Sequence, residues 1–193
     1  LLALDGAGVD TVTSRPGWFY PTSASPDGRY VLFDDSEGPG VGDLQAAPLS
    51  GGGPVLRFAK GSQSQCSPNG RFVAYTSNES GRDEVYVVTF PEPGGKWQVS
   101  QDGGGEARWG RDGKTLYFVD RENHVLAVDV TLSASGFESG EVRPLFQLHT
   151  AGGFWRYDVS PDGSRFLVTV PLEGDVRAPV MLMTDWTAKI RKR

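Results

Sequence analysis

A four-residue turn that recurs four times is the feature that most constrains how this sequence can fold. The glycines of successive copies are 42, 43 and 50 residues apart. Proline presets φ at the second position of such a turn, Asp or Asn tolerates the third, and glycine adopts positive φ at the fourth. The pattern predicts four hairpins, each joining the first and second strands of a repeating unit. The copies are Ser25-Pro26-Asp27-Gly28, Ser67-Pro68-Asn69-Gly70, Gly110-Arg111-Asp112-Gly113 and Ser160-Pro161-Asp162-Gly163.

Apolar runs follow each turn at once, and a second run follows further along each repeat. The first runs are Tyr30–Phe33, Phe72–Tyr75, Leu116–Val119 and Phe166–Val168, and the second are Leu44–Leu49, Val85–Val88, Val125–Val128 and Val180–Met183. Consecutive apolar residues suit strands that are covered on both faces. With this period they predict an all-β fold, a β-propeller of about four four-stranded blades within a larger propeller. A generic β-sandwich gives no reason for four matched turns.

The repeat also predicts blade boundaries. A partial blade is expected at 1–14, full blades at 15–60, 61–102 and 103–150, a final blade at 151–188 and a basic tail at 189–193. The chain opens without a methionine in residues typical of a strand, so we expect it to be a piece of a longer polypeptide.

Composition excludes several classes of function. The net charge is -5 and the only sizeable basic cluster is the tail, which argues against nucleic acid as a partner. No apolar run has the length of a membrane span. The single cysteine, Cys66, cannot form an internal disulfide, and its register next to the second turn predicts a small core residue.

The repeats resemble those of the bacterial TolB-like β-propeller family. The clearest match is 66–77, followed by Gly81 and the run Val85-Tyr86-Val87. The stretch 156–168 resembles the last blade of propellers found behind bacterial serine/threonine kinase domains, and Asp185-Trp186 falls where those chains end. The resemblance implies a propeller and says little about activity, because one fold hosts many functions.

The sequence offers no catalytic constellation, and we predict no catalytic residue, metal site or cofactor. A Gly-x-Ser-x-Gly elbow is missing, and His124 lies in a turn without a partner motif. The stretch from Asp158 to Gly163 has oxygen side chains at alternate positions, as at the start of a calcium loop. However, Thr169 stands where the loop's final glutamate belongs, and the turn chemistry already explains the segment.

Polar side chains two and four residues before the turns form the candidate site. In the last two repeats these are Arg108 and Glu106, then Asp158 and Arg156, with the aromatic Trp155 beside them. The first strand of a propeller blade lines the central channel, so these side chains are expected at its wall or mouth. Two interpretations stay open: a network of charges between blades, or a funnel that contacts a ligand, with Phe19 and Tyr20 adding aromatic surface. Arg82, in an outer turn, is expected to be an exposed residue apart from this set.

These patterns predict a non-catalytic propeller that binds a protein, peptide or small molecule at its channel mouth. The expected setting is a sensor or interaction domain of a bacterial envelope or receptor-kinase protein, on the periplasmic or extracellular side. One alternative is a propeller that gates substrate for a peptidase domain outside this chain. Another is a structural assembly module. Pairing with a second copy to close a ring is a further expectation.

Overall fold

A computed structural model of the protein describes residues 17–35, 42–92, 94–133, 136–150, 153, 155–170 and 180–183. Over these residues the chain contains fourteen β-strands and no helix. The strands are β1 (Phe19–Ala24), β2 (Tyr30–Asp35), β3 (Gly42–Pro48), β4 (Leu56–Cys66), β5 (Phe72–Ser77), β6 (Glu84–Thr89), β7 (Lys96–Gln98), β8 (Gly105–Trp109), β9 (Thr115–Val119), β10 (His124–Leu132), β11 (Phe137–Gln147), β12 (Tyr157–Val159), β13 (Phe166–Thr169) and β14 (Val180–Met183).

The strands form four antiparallel meanders in chain order, which we call blades 1 to 4. Blade 3 is a separate sheet of β8 to β11, and blade 4 is a sheet of β12 to β14. Blades 1 and 2 share β4, which pairs with β3 up to Gly61 and with β5 from Ser62 onward. Gly61 lies at this switch, and an added Cβ would be 2.3 Å from the main-chain oxygen of Thr76. The strand passes between two blades there because the residue has no side chain.

Each predicted turn joins the first and second strands of its blade, as the repeat indicates. Gly28, Gly70, Gly113 and Gly163 all have φ between 68° and 71°. In the first copy the Ser25 hydroxyl donates to Asp27 Oδ1 at 2.5 Å and accepts the Tyr30 N–H at 2.9 Å. The second and fourth copies repeat both bonds. These local bonds explain why the turn recurs at one place in blades 1, 2 and 4; in blade 3, where Gly110 replaces the serine, Asp112 Oδ1 still accepts the Lys114 N–H.

The core consists of three apolar clusters, one between each pair of neighbouring blades. Strand β9 shows the principle: Leu116 and Phe118 pack toward blade 2, whereas Tyr117 and Val119 pack toward blade 4. Strands β5 and β6 alternate in the same way between blades 1 and 3. Consecutive apolar residues are therefore buried on both faces of a strand, which confirms the interpretation of the apolar runs. Cys66 is buried in the cluster between blades 1 and 2, as predicted.

A bulge interrupts the first strand of blades 1, 2 and 3, at the positions where the candidate side chains lie. The register shifts between Ser62 and Gln65 in blade 2 and between Gly105 and Arg108 in blade 3. Gln63 and Glu106 have φ of 58° and 54°, in the left-handed region. Simple alternation is thus broken here, and the direction of each side chain is set by the bulge.

Several sequence-based expectations lie outside the described residues. These are the partial blade at 1–14, the tail at 189–193 and the Asp185-Trp186 pair. Among the described residues, no helix is long and apolar enough to cross a membrane.

Candidate functional site

An open cavity of about 690 Å³ lies at one face of the propeller, where the first strands of blades 2 and 3 begin. It lies between loops that follow second strands and the connections that enter first strands. Its walls carry charges of both signs and several small residues: Ser62, Gln63, Thr76, Asn78, Arg82, Asp83, Gly104, Gly105, Glu106, Val119, Asp120, Arg121, Gly153 and Arg156. We call this cavity the mouth.

Two of the predicted residues, Glu106 and Arg156, meet in the mouth as an ion pair between blades 3 and 4. Arg156 Nε donates to Glu106 Oε1 at 2.6 Å, and the Arg156 main-chain N–H donates to Oε2 at 2.8 Å. The side chains are 5% and 17% exposed for Glu106 and Arg156 respectively. Asn123 Oδ1 accepts a further guanidinium N–H, and the Tyr157 hydroxyl donates to the Glu106 carbonyl oxygen. The pair holds blade 4 against blade 3 with each ionic group hydrogen bonded.

The same kind of link connects the earlier blades. Gln63 Oε1 accepts the Thr76 hydroxyl at 2.9 Å and the Glu106 N–H at 3.0 Å. The Gln63 N–H in turn donates to Asp34 Oδ2 of blade 1 at 2.8 Å. Burial raises the pKa of Asp34 from 3.8 to about 6, although the main-chain donors of Gln63 and Ser64 oppose this. Asp34 Oδ1 has no hydrogen-bond partner within the described part of the chain.

The other three predicted residues form a separate group further along the first strands. The Arg108 guanidinium carbon lies 4.7 Å from the Trp155 ring centre and 5.7 Å from that of Tyr157. Arg108 Nε is 3.6 Å from Asp158 Oδ1, and Arg108 is buried whereas Trp155 is 41% exposed. Trp155 has φ of 63°, a conformation that is uncommon for a bulky residue. The Arg108 guanidinium therefore packs against the Trp155 indole ring in a cation–π contact, and the Asp158 carboxylate lies beside it.

The five predicted residues therefore form two neighbouring groups, and all five make contacts across the boundary between blades 3 and 4. Glu106 pairs with Arg156, and Arg108 contacts both Asp158 and Trp155. Their geometry supports the interpretation as a network between blades. A direct role in ligand binding stays a prediction. Phe19 packs edge-on against Phe33, and Tyr20 is exposed on β1.

Sequence reasoning missed a second buried charge next to the mouth, the carboxylate of Glu84. It predicted the exposure of Arg82 correctly but not its buried partner or its place in the mouth. Glu84 is fully buried, and its Oε1 accepts Arg82 Nε at 2.6 Å and the Gly103 N–H at 3.0 Å. Ser100 donates its hydroxyl to Glu84 Oε2. Arg82 is thus half-exposed but paired with a buried carboxylate, and it lines the mouth rather than lying apart from it. The sequence could have predicted this buried carboxylate, because Glu84 directly precedes an apolar run that is covered on both faces and would need a partner there.

The remaining ionisable groups have structural surroundings. Burial raises the pKa of the Cys66 thiol to about 12, which suppresses the thiolate at neutral pH. His124 begins β10, and its Nδ1 lies 3.1 Å from Asp120 Oδ2. Asp162, in the stretch that resembles a calcium loop, accepts the hydroxyls of Ser160 and Ser164. Among the described residues, no group of three or more His, Cys, Asp or Glu side chains is arranged to hold a metal ion.

Comparison with known proteins identifies the fold. No family model and no curated protein matches the chain. TolB from Acinetobacter baumannii has a similar structure, with a TM-score of 0.70 and 19% identity over 95% of this chain and 45% of that one. The Cps50 (Swd1) β-propeller domain of Myceliophteria thermophila gives 0.54 and 15% identity over 86% and 58%. A protein of Bacteroides uniformis, provisionally named a 6-phosphogluconolactonase, gives 0.52 and 17% over 95% and 63%.

The structural neighbours confirm the predicted TolB-like β-propeller fold. The chain spans about half the length of TolB from Acinetobacter baumannii, and the identities are low. The three neighbours carry different functional names, so the shared fold does not assign an activity.

Proposed function

We propose that this chain is a non-catalytic binding propeller that recognises a protein or peptide at the mouth. The observation that carries the proposal is the mouth itself, an open cavity of about 690 Å³ lined by charges of both signs. Polar side chains on a rigid scaffold give orientation and specificity to a bound segment. A cavity lined by charges of both signs suits an extended polar peptide better than a drug-like apolar molecule.

Buried ion pairs keep the recognition surface in place. Arg82 and Arg156 both line the mouth, and each forms an ion pair with a carboxylate that is shielded from water. Arg82 pairs with Glu84, and Arg156 pairs with Glu106. Each guanidinium is oriented by its buried partner, so little side-chain freedom is lost when a ligand binds. Arg121 and Asp83 extend the same surface from exposed loops. We expect Arg121 and Asp83 to make adaptable contacts around the two fixed arginines.

The biological setting that fits this proposal is a sensor or interaction domain of a bacterial envelope or receptor-kinase protein. The resemblance of the repeats to TolB-like propellers and to kinase-associated propellers supports it. In that setting the mouth lies on the periplasmic or extracellular side. The alternative is a propeller that gates substrate for a peptidase domain outside this chain, and it would use the same mouth as an entrance.

Selection from a random peptide library tests the proposal directly. The chain is immobilised, binding peptides are enriched, and their affinities are measured by calorimetry for the wild type and two variants. Arg121→Glu changes an exposed residue of the mouth, and Arg111→Glu makes the same change in an exposed turn at the opposite face. We expect enriched peptides to bind Arg121→Glu at least tenfold more weakly than wild type, with Arg111→Glu unchanged. Failure to enrich any peptide, or equal affinities for all three proteins, would contradict the proposal.

A further inference from the structure

The three interfaces between described blades share one apolar contact. The fourth residue after the turn glycine of one blade lies in the same cluster as the residue that directly precedes the turn of the following blade. The pairs are Leu32 with Cys66, Ala74 with Trp109, and Tyr117 with Val159. The repeat therefore defines a forward face on each blade, which holds the following blade, and a rear face, which is held by the preceding one.

A hydrogen bond accompanies this contact at the first two interfaces, whereas at the third the Val159 N–H donates to Asp158 Oδ1 of its own blade. The Cys66 N–H donates to Ser23 Oγ of blade 1 at 3.1 Å, and the Trp109 N–H donates to Gln65 Oε1 of blade 2 at 2.8 Å. In both cases the donor directly precedes its turn, and the acceptor is two residues before the turn of the preceding blade. The donor N–H points away from its own second strand because antiparallel pairs alternate between bonded and non-bonded positions.

The forward face of blade 4 presents the same positions to solvent. Leu167, the fourth residue after Gly163, is 42% exposed, and the side chain of Asp158, two residues before the turn, is 69% exposed. Trp155 is 41% exposed beside them. An apolar residue thus stands where each of the three preceding blades holds a following blade, and an acceptor stands where blades 1 and 2 have one.

The first strand of blade 1 offers the matching rear positions. Ala24 directly precedes the first turn and is exposed, as is Tyr20. Pro21 has no N–H, at the register where Gln63, Glu106 and Arg156 each donate theirs to the preceding blade. On blade 4, Arg156 has a side chain that can only donate, so it requires no donor from a following blade. Docking blade 4 onto blade 1 therefore leaves no donor or acceptor unmatched at this register, because Pro21 has no N–H to donate and Arg156 has no side-chain oxygen to accept one.

We propose that the forward face of blade 4 docks head to tail onto the rear face of blade 1 of a second copy of this chain. Leu167 then packs against Ala24, and Asp158 accepts the Ala24 N–H. Tyr20 and Trp155 are both exposed in the single chain, so both faces are accessible to a second copy. A head-to-tail contact made twice closes two copies into a ring.

Sedimentation and disulfide trapping test this arrangement. We expect the wild-type chain to sediment at the mass of two copies at 100 µM, a concentration at which a dimer is populated if its Kd is in the low micromolar range. Leu167→Lys should shift it to one copy, whereas Val142→Lys, on exposed β11, should leave the dimer intact. In addition, Ala24→Cys and Leu167→Cys chains are prepared separately, mixed and mildly oxidised. The mixture should form a covalent dimer, and each variant alone should not.

Two outcomes would overturn the head-to-tail arrangement. A wild-type chain that sediments as one copy overturns the proposal, as does a disulfide in Leu167→Cys alone, which indicates symmetric packing of two blade-4 faces. The native Cys66 is buried and does not confuse the trapping experiment. If Leu167→Lys fails to fold, the mixed-cysteine result decides the question by itself.

Discussion

Glu106 of blade 3 binds Arg156 of blade 4 through both of its carboxylate oxygens, at 2.6 and 2.8 Å. One bond comes from the guanidinium and the other from the main-chain N–H. This arrangement fixes the side chain and the backbone of the following blade with a single carboxylate. Because both groups are largely shielded from water, removal of either leaves a charge that water cannot easily solvate.

We therefore expect Glu106→Ala to lower the free energy of unfolding by about 3 kcal/mol, as for a broken buried ion pair. Urea unfolding followed by tryptophan fluorescence measures the change. The exposed pair between Asp129 and Arg143 provides the control, with side chains 67% and 50% exposed. Asp129→Ala should cost less than about 1 kcal/mol. Equal losses in the two variants would show that the Glu106 pair is no stronger than a surface contact.

A second prediction concerns Arg82, which the sequence places in an outer turn. Glu84 is fully buried, so Arg82→Ala leaves its carboxylate with neutral donors alone. We expect a loss of about 2 kcal/mol in the free energy of unfolding, reduced from a fully buried pair because Arg82 is half-exposed. Lys96 pairs with the exposed Glu79, and Lys96→Ala is the matched control, with an expected loss below about 1 kcal/mol. Thermal and urea unfolding both report the difference; a loss in Arg82→Ala no larger than in the control contradicts it.

The fold was accessible to sequence reasoning because its strongest signals are local. A Ser-Pro-Asp-Gly turn is specified by bonds within five residues, as between Ser25, Asp27 and Tyr30. The consecutive apolar residues after each turn indicated strands that are buried on both faces, as in stacked sheets. Both signals repeat four times, so an imperfect copy such as Gly110-Arg111-Asp112-Gly113 still folds into the same turn, with Gly113 at φ 68°.

The partners in the candidate site were less accessible, because they depend on contacts between residues far apart in the chain. The repeat identifies Glu106 and Arg108 as candidate residues of the same strand. The bulge between them points their side chains differently, so Glu106 pairs with Arg156 and Arg108 pairs with Asp158. The positive φ of Trp155 has no local signature. Likewise, exposure of Arg82 was inferred from its turn, whereas its partner is decided by the burial of Glu84.

Asp34 should make stability depend on pH between about 4 and 6. Burial raises its pKa from 3.8 to about 6, so the folded state binds this proton more tightly than the unfolded state. Between those values the folded state carries more protons, and the free energy of unfolding falls as pH rises. A shift of this size corresponds to about 3 kcal/mol across the window, at 1.36 kcal/mol per pKa unit.

The variant Asp34→Asn isolates this effect. Its amide oxygen can still accept the Gln63 N–H, but the side chain no longer titrates. Urea unfolding at a series of pH values should show the difference in stability between variant and wild type growing in favour of the variant from pH 4 to pH 6, then levelling off. The readout is this slope, which is independent of any constant cost of the substitution. Parallel curves for the two proteins across the window would refute the assignment.

The last prediction concerns the point where β4 passes from blade 1 to blade 2. A Cβ at Gly61 would lie 2.3 Å from Thr76 O and 2.7 Å from the Tyr75 ring, so main chain or a buried aromatic must move to admit it. We expect Gly61→Ala to destabilise the protein by about 3 kcal/mol, at the upper end for overpacking. Gly140→Ala, in exposed β11 with its nearest neighbour at 3.4 Å, should change stability by less than about 0.5 kcal/mol. Because Gly61 lies on the boundary, hydrogen exchange should also quicken in β5 of Gly61→Ala while β9 keeps its protection. Unchanged exchange in β5 would contradict this prediction. It would mean that β4 tolerates a side chain at residue 61, and that the close contact between Gly61 and Thr76 is not needed to hold β4 against β5.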